Sequence, residues 1–163
     1  KTLLIVYHSH TGGTRQMVEA AVAGAQAGDS GVAVRLLPAP EAQVADVLAA
    51  DGYLFATPEN LAAVSGLLKD FFDRTYYGAL DQINGRPYAS LVCAGSDGTN
   101  AARQIARIAT GWRLRPVADP LIVCTHAQTP EAILAPKQIA PADLERCRTL
   151  GEAMAAGLGM GVF

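Results

Sequence analysis

Hydrophobic residues along this chain occur in short runs, separated by longer segments in which they recur every three or four positions. Several of the short runs lack the period-two alternation of a half-exposed strand, and continuous runs are typical of parallel strands covered on both faces. The pattern predicts β-strands over residues 2–7, 32–37, 52–56, 88–94 and 120–124.

The segments that follow the strands carry apolar stripes with helical spacing. The stripes begin at Met17, Val44, Val64, Ala101 and Leu144. Strands that alternate with helices through short links predict right-handed crossovers and a doubly wound parallel α/β sheet, here in a single domain spanning residues 1–163. Ligands of such sheets bind beyond the carboxyl ends of the strands. Residues 125–140 are the only long irregular segment.

Composition restricts the class of protein further. The chain has 163 residues, of which 50% are hydrophobic and 17% charged, so we expect a packed core. A net charge of −2 gives no electrostatic case for nucleic acid or anionic membranes as partners. Apolar runs of strand length and the lack of a signal-peptide pattern predict a cytoplasmic protein without membrane association. Cys93, Cys124 and Cys147 show no C-x-x-C spacing, which favours buried thiols over a redox or metal site.

The loop after the first strand carries the most specific chemistry. Ser9, Thr11 and Thr14 offer hydroxyl groups, while Gly12 and Gly13 let the backbone curl closely around a ligand. Because a helix begins there, its unpaired N–H groups and dipole add an anion site. The loop lacks both the Gly-Lys-Ser/Thr ending of nucleotide triphosphate loops and the G-x-G-x-x-G spacing of dinucleotide folds. It predicts a site for one terminal phosphate; an ordinary capped turn is the alternative.

Three segments carry a resemblance to a known family. Ser9-His10-Thr11-Gly12-Gly13-Thr14 resembles the S/T-x-T-G-x-T loop by which flavodoxins bind the phosphate of FMN. The segment from Thr57-Pro58 to Ser65-Gly66 resembles the T-P-x-x-x-x-x-M-S-G segment of flavodoxin-like quinone reductases. Ala94-Gly95-Ser96-Asp97-Gly98 is similar in position to the loop that meets the flavin's pyrimidine edge. The alternative is that the second and third segments are only turns, in which such residues are common.

The resemblance implies a flavodoxin-like three-layer sandwich whose five parallel strands have the order 2-1-3-4-5. It also implies FMN as cofactor, and oxidation of NAD(P)H coupled to reduction of a quinone or a similar small acceptor. No catalytic acid or base and no metal ligand are expected, because the cofactor carries the chemistry. The cofactor-binding residues it implies are Ser9, His10, Thr11, Gly12, Gly13, Thr14, Thr57, Pro58, Glu59, Asn60, Leu61, Ala94, Gly95, Ser96, Asp97 and Gly98.

The chain departs from electron-shuttle flavodoxins in two ways. Neither Glu59-Asn60-Leu61 nor Asp97-Gly98-Thr99 contains an aromatic residue to cover the flavin ring, and 13 basic against 15 acidic residues is not the strong acidity of a shuttle. The missing aromatic residues imply a ring face that is open or is covered by a neighbouring subunit of a homo-oligomer. Both departures favour an enzyme that admits a second small molecule over a protein-to-protein carrier. Two alternatives are an electron-transfer flavodoxin without its own NAD(P)H activity and a flavin-free binding module.

Some polar residues have two interpretations. Asp97 either accepts from the flavin N3–H or caps the fourth helix, and the residues that follow it favour the cap. His126 ends the last strand and is a candidate for the ring's entrance. His8 and His10 either add partial positive charge beside the phosphate or are exposed loop residues.

Overall fold

The protein alternates strands and helices along its length, and a computed structural model describes residues 1–163. None of the helices combines the length and the hydropathy needed to cross a membrane. The elements in chain order are β1 (Thr2–Tyr7), α1 (Gly13–Ala27), β2 (Ala33–Pro38), α2 (Val44–Ala49), β3 (Gly52–Asn60), β4 (Ala63–Val64), α3 (Gly66–Ala79), β5 (Pro87–Ala94), α4 (Thr99–Gly111), β6 (Arg115–Pro116), β7 (Leu121–Cys124), α5 (Pro130–Leu134) and α6 (Pro141–Met160).

The sheet is parallel apart from one short strand. Strands β2, β1, β3 and β5 lie side by side in that order, and β6 and β7 both pair with β5 at the far edge. In β1, Val6 lies opposite Leu37 on one side and Phe55 on the other. The long strands therefore have the predicted order 2-1-3-4-5, and the doubly wound prediction is confirmed. The winding reverses between β1 and β3, where such sheets open a crevice for ligands.

The sheet separates two hydrophobic cores of different character. Leu4 and Val6 face one core, and Leu3 and Ile5 face the other, because successive side chains of a strand point to opposite faces. The first core lies under α2, α3 and α4 and is rich in aromatic rings, including Trp112. The second lies under α1 and α6 and contains aliphatic and sulfur-bearing side chains. Helices on both faces make the predicted three-layer sandwich.

The structure differs from the predicted elements mainly around β3. The strand continues past Ala56, because Thr57 and Pro58 still lie opposite Val92 and Cys93 of β5. Its last residues then form an antiparallel hairpin with β4. The short elements β4, β6 and α5 were not predicted, since two to five residues are too few to establish a periodicity.

Candidate functional site

A cavity of about 490 Å³ opens beyond the carboxyl ends of β1, β3, β5 and β7. This volume lies in the range of cofactor and small-molecule sites. It includes the β1–β3 switch point, so it occupies the place that the topology favours. Most of the predicted cofactor-binding residues line it, namely His10, Thr11, Gly13, Thr14, Pro58, Glu59, Asn60, Leu61, Ala94, Gly95 and Ser96.

The loop between β1 and α1 presents unused hydrogen-bond donors to this cavity. The side chain of Thr14 is buried, with 1% of its surface exposed, and its Oγ1 has no hydrogen-bond partner. The first amides of α1 lack an intrahelical acceptor, and the cap residue Gly12 has no side chain to offer one. A buried hydroxyl costs free energy when it is left unpaired. Its place beside free helix amides fits a phosphate oxygen as the missing partner.

Ser9 and Gly12 lie outside the cavity lining and shape the loop instead. The Ser9 Oγ accepts a hydrogen bond from the backbone N–H of Arg15 at 3.2 Å. Gly12 has φ 93°, in the left-handed region, which turns the chain into α1. The side chain of Arg15 is exposed and pairs with Glu19 at 2.8 Å, away from the cavity.

Gly13 is required by close packing. A Cβ at this position would lie 2.5 Å from the Sγ of Cys93 and 3.4 Å from the Cβ of Lys137. The backbone of the loop therefore rests directly on the end of β5. This contact brings Cys93 into the cavity wall, whereas the sequence pattern predicts only a buried thiol there.

The second part of the site is the hairpin formed by β3 and β4. Its two turn residues, Leu61 and Ala62, have φ angles of 49° and 62°, and Leu61 is fully exposed at 102%. Two-residue hairpin turns with both residues at positive φ usually contain Asn-Gly, so this turn is strained. Thr57 lies outside the cavity lining and is buried. Its Oγ1 accepts from the N–H of Ser65 at 2.9 Å and so fixes the base of the hairpin.

Side chains connect the hairpin to the amino-terminal part of α4. The Oε2 of Glu59 accepts from the N–H of Gly98 at 2.7 Å. The Nδ2 of Asn100 donates to the carbonyl of Ala62 at 2.6 Å, and the Oε1 of Gln104 accepts from the N–H of Val64 at 2.9 Å. These bonds hold the strained turn in place.

The third part is the loop between β5 and α4. Asp97 lies outside the cavity lining, and its Oδ1 accepts from the Oγ1 of Thr99 at 2.7 Å and from its N–H at 3.3 Å. This is the helix-capping interpretation of Asp97 rather than the ligand-binding one. Gly98, which also lies outside the lining, precedes α4 with φ 83°.

A fourth part of the cavity was missed by the sequence analysis. Besides Cys93, the missed lining residues are Thr125, Ala127, Gln128, Ile133, Leu134 and Lys137. One local signal was available: Thr129 precedes Pro130, and its Oγ1 accepts from the N–H of Ala132, which is a standard helix start. His126 is not in the lining, and its N–H donates to the carbonyl of Gly95 at 2.8 Å.

Burial shifts the pKa values of two groups near the loop, His8 and Cys93. Burial lowers the pKa of His8, and the neighbouring His10 lowers it further. His8 is therefore neutral at pH 7 and adds no full positive charge beside the loop. Burial raises the pKa of the Cys93 thiol to about 11. No group of three or more His, Cys, Asp or Glu side chains is arranged to hold a metal ion.

Sheet order and cavity position define a doubly wound protein of the flavodoxin-like class. A flavodoxin from the domain Archaea shares this fold, with a TM-score of 0.77 and 16% identity, over 98% of this chain and 99% of that one. The family model described as NADPH-dependent FMN reductase matches residues 38–129, and the chain belongs to this family.

Two curated relatives have clear sequence similarity. The flavodoxin of Aquifex aeolicus (strain VF5) is 34% identical over 106 residues, which are 64% of this chain and 55% of that protein. The NAD(P)H dehydrogenase (quinone) of Acidithiobacillus ferrooxidans (strain ATCC 53993 / BNL-5-31) is 32% identical over 93 residues, 45% of this chain and 46% of that protein. The chain therefore spans about half the length of these relatives.

Proposed function

We propose that this protein binds FMN in the cavity and is an NAD(P)H-dependent oxidoreductase that reduces a quinone or a similar small acceptor. Family membership and the flavodoxin relatives indicate FMN as the cofactor. The relative named NAD(P)H dehydrogenase (quinone) supports reduced pyridine nucleotide as donor and a quinone as acceptor.

The observation that carries the proposal is the buried, unpartnered Oγ1 of Thr14 at the amino terminus of α1. In the proposed complex this hydroxyl donates to a phosphate oxygen, beside the free amides of the helix. Ser9, Gly12 and Gly13 shape the loop, while His10 and Thr11 form the rest of the wall at this end.

The flavin ring is proposed to occupy the remainder of the cavity. Pro58, Glu59, Asn60 and Leu61 would flank it on one side, and the Ala94-Gly95-Ser96 loop on the other. Thr57, Asp97 and Gly98 would hold these loops in position through the hydrogen bonds described above.

Bound FMN would supply the redox chemistry. In the overall reaction, NAD(P)H would give up a hydride and the solvent a proton, and the quinone would leave as its hydroquinone. The chain's own residues bind and orient the cofactor. No side chain is proposed as a catalytic acid or base.

The mouth of the cavity favours a second small molecule. Leu61, Ile133 and Leu134 line it and are exposed by 102%, 49% and 66%, and no Phe, Tyr or Trp is among the lining side chains. Apolar groups at the mouth suit an uncharged, flat acceptor. For the same surface, we also propose that a second copy of the chain covers the mouth in a homo-oligomer, which sizing by light scattering would test. Three free cysteines are compatible with action in the reducing cytoplasm.

The decisive experiment loads the purified protein with FMN and adds NADPH or NADH without oxygen, while the visible absorbance of the flavin is followed. Rapid bleaching, followed by recovery of the absorbance on addition of a quinone, is the result expected of the proposed enzyme. Protein that does not bind FMN at all would contradict the proposal and favour a flavin-free binding module.

An electron-transfer flavodoxin is the second candidate, because the Aquifex aeolicus relative bears that name. Such a carrier stays yellow when NADPH is added alone and bleaches only when a separate reductase is supplied. The near balance of 13 basic and 15 acidic residues gives this candidate no electrostatic support.

A further inference from the structure

Gln16 connects two parts of the cavity wall that lie far apart in sequence. It is half-buried in the first turn of α1, and its Nε2 donates to the carbonyl of Gly12 at 3.0 Å and to that of Lys137 at 2.8 Å. Its Oε1 accepts from the N–H of Ile139 at 3.0 Å. The amide group of Gln16 therefore uses both donors and its acceptor.

The segment that Gln16 holds is itself tied together. We call residues 130–139, which comprise α5 and the chain that follows it, the strap. The Nζ of Lys137 donates to the carbonyls of Ala132, Ile133 and Ala135 at 2.8, 2.7 and 2.6 Å. The side chain of Ile139 is buried in the core beneath α1 and α6. The strap is thus bonded within itself by Lys137 and anchored in the core by Ile139.

A second bond joins the strap to the loop between β1 and α1. The N–H of Lys137 donates to the carbonyl of Thr11 at 2.8 Å. Thr11 and Gly12, two consecutive residues of the loop, therefore have their carbonyls held by the strap and by Gln16. Because a peptide group is planar, a fixed carbonyl also fixes the direction of the next N–H. The amides that follow these carbonyls belong to Gly12 and Gly13, at the helix terminus where a phosphate would bind.

We propose that Gln16 is a positioning residue that holds the loop and the strap as one unit, and thereby sets the preference for a phosphorylated flavin over an unphosphorylated one. The inference rests on the proposed binding of FMN. A phosphate gains from donors whose directions are set before it binds. Riboflavin, which has no phosphate, does not use the loop, so its affinity does not depend on Gln16.

The test compares Gln16→Ala with the unchanged protein in two measurements. Dissociation constants for FMN and for riboflavin are obtained from flavin fluorescence, and amide hydrogen exchange of residues 130–139 is followed with and without FMN. We expect Gln16→Ala to weaken FMN about tenfold, because hydrogen bonds of ordinary strength are lost, and to leave riboflavin unchanged. Exchange in the strap should become faster in the variant, and FMN but not riboflavin should slow it in the unchanged protein.

Two further variants separate positioning from a general loss of structure. Gln16→Glu keeps the acceptor for the N–H of Ile139 but removes the donors, so it should reduce the ratio of FMN to riboflavin affinity in the same direction. Gln82→Ala is the matched control, since the exposed side chain of Gln82, in the turn after α3, donates only to the carbonyl of Gly78. It should change neither affinity.

Equal losses of FMN and riboflavin affinity in Gln16→Ala, or no loss of either, would overturn the inference while leaving the proposed function intact. If the unchanged protein binds no FMN, the proposed function and the phosphate preference fall together.

Discussion

The two ends of the cavity are built in different ways. The end formed by Thr11, Gly13 and Thr14 comes from one continuous segment, in which the Oγ1 of Thr14 has no partner in the protein and the first amides of α1 lack an intrahelical acceptor. The other end is assembled from the hairpin and the loop after β5, and its polar groups bond to each other, as Glu59 does to Gly98. The first end thus keeps the hydroxyl of Thr14 free for a ligand, whereas the second uses its polar side chains to hold its own shape.

Gly13→Ala tests the first end most severely. The added Cβ would meet the Sγ of Cys93 at 2.5 Å, so the loop must move away from β5. Overpacking costs up to about 3 kcal/mol, and we expect FMN affinity to fall by roughly a hundredfold in a fluorescence titration. Gly66→Ala is the control, because a Cβ there meets nothing within 4 Å.

Adding Cys93→Ala to Gly13→Ala should restore most of the affinity, since it removes the atom that clashes. If the double variant binds FMN as weakly as Gly13→Ala does, the clash is not the cause.

Thr14→Val separates ligand binding from stability. Because the Oγ1 of Thr14 is buried without a partner, the apoprotein should be as stable as before or slightly more stable in urea denaturation. The affinity for FMN should fall by about 1–3 kcal/mol, because a phosphate oxygen loses its donor. Thr14→Ser keeps the hydroxyl and should retain most of the affinity. An unchanged dissociation constant in Thr14→Val would remove the assignment of this loop to the phosphate.

The rates at which Cys93 and Cys124 react with an alkylating reagent test how well each end of the cavity is covered. Burial raises the pKa of Cys93 to about 11, so very little thiolate forms at pH 8, while Cys124 beside the third loop is only partly buried. We expect iodoacetamide to modify Cys93 at least tenfold more slowly than Cys124 at pH 8, as measured by peptide mass spectrometry, since the thiolate is the nucleophile. The Cys93 rate should rise steeply as the pH approaches 11. Equal modification rates of Cys93 and Cys124 at pH 8 would mean that the loop between β1 and α1 does not cover the end of β5.

Glu59→Ala should have the smallest effect and should act on the second end. It removes the acceptor of the Gly98 N–H, so we expect the free energy of unfolding of the apoprotein to fall by about 1 kcal/mol in urea. FMN affinity should change less than in Thr14→Val, because the phosphate end is untouched. Glu41→Ala, at an exposed position, serves as the control. If Glu59→Ala weakened FMN binding more than Thr14→Val does, the second end of the cavity would contribute more to binding than the phosphate end.

The parts of the fold that could be predicted are those that depend on residues close together in the sequence. Apolar runs predicted the long strands, and β1 has the predicted bounds at Thr2–Tyr7. Hydroxyls and glycines within six consecutive residues predicted an anion loop, and the loop lies in the cavity wall. Periodicity and local hydrogen-bonding chemistry need only a short window of sequence.

The turn at Leu61 and Ala62 is a case where local rules fail. Neither residue favours positive φ, so nothing in the segment predicted a tight hairpin. The hairpin is stabilised instead by bonds from Glu59, Asn100 and Gln104 to backbone groups across the loops. Such bonds overcome a local cost of roughly 1–2 kcal/mol per residue.

The sequence by itself determined the alternation of strands and helices, the doubly wound sheet and the chemistry of the Ser9–Thr14 loop, because each depends on residues close together in the chain. Only the tertiary structure decided that the strap forms the fourth wall of the cavity and that Gln16 bonds to Lys137, 121 positions further on. It also decided that Gly13 packs on Cys93. These contacts join segments that no local pattern relates, and they exist only once the sheet has brought its carboxyl ends together.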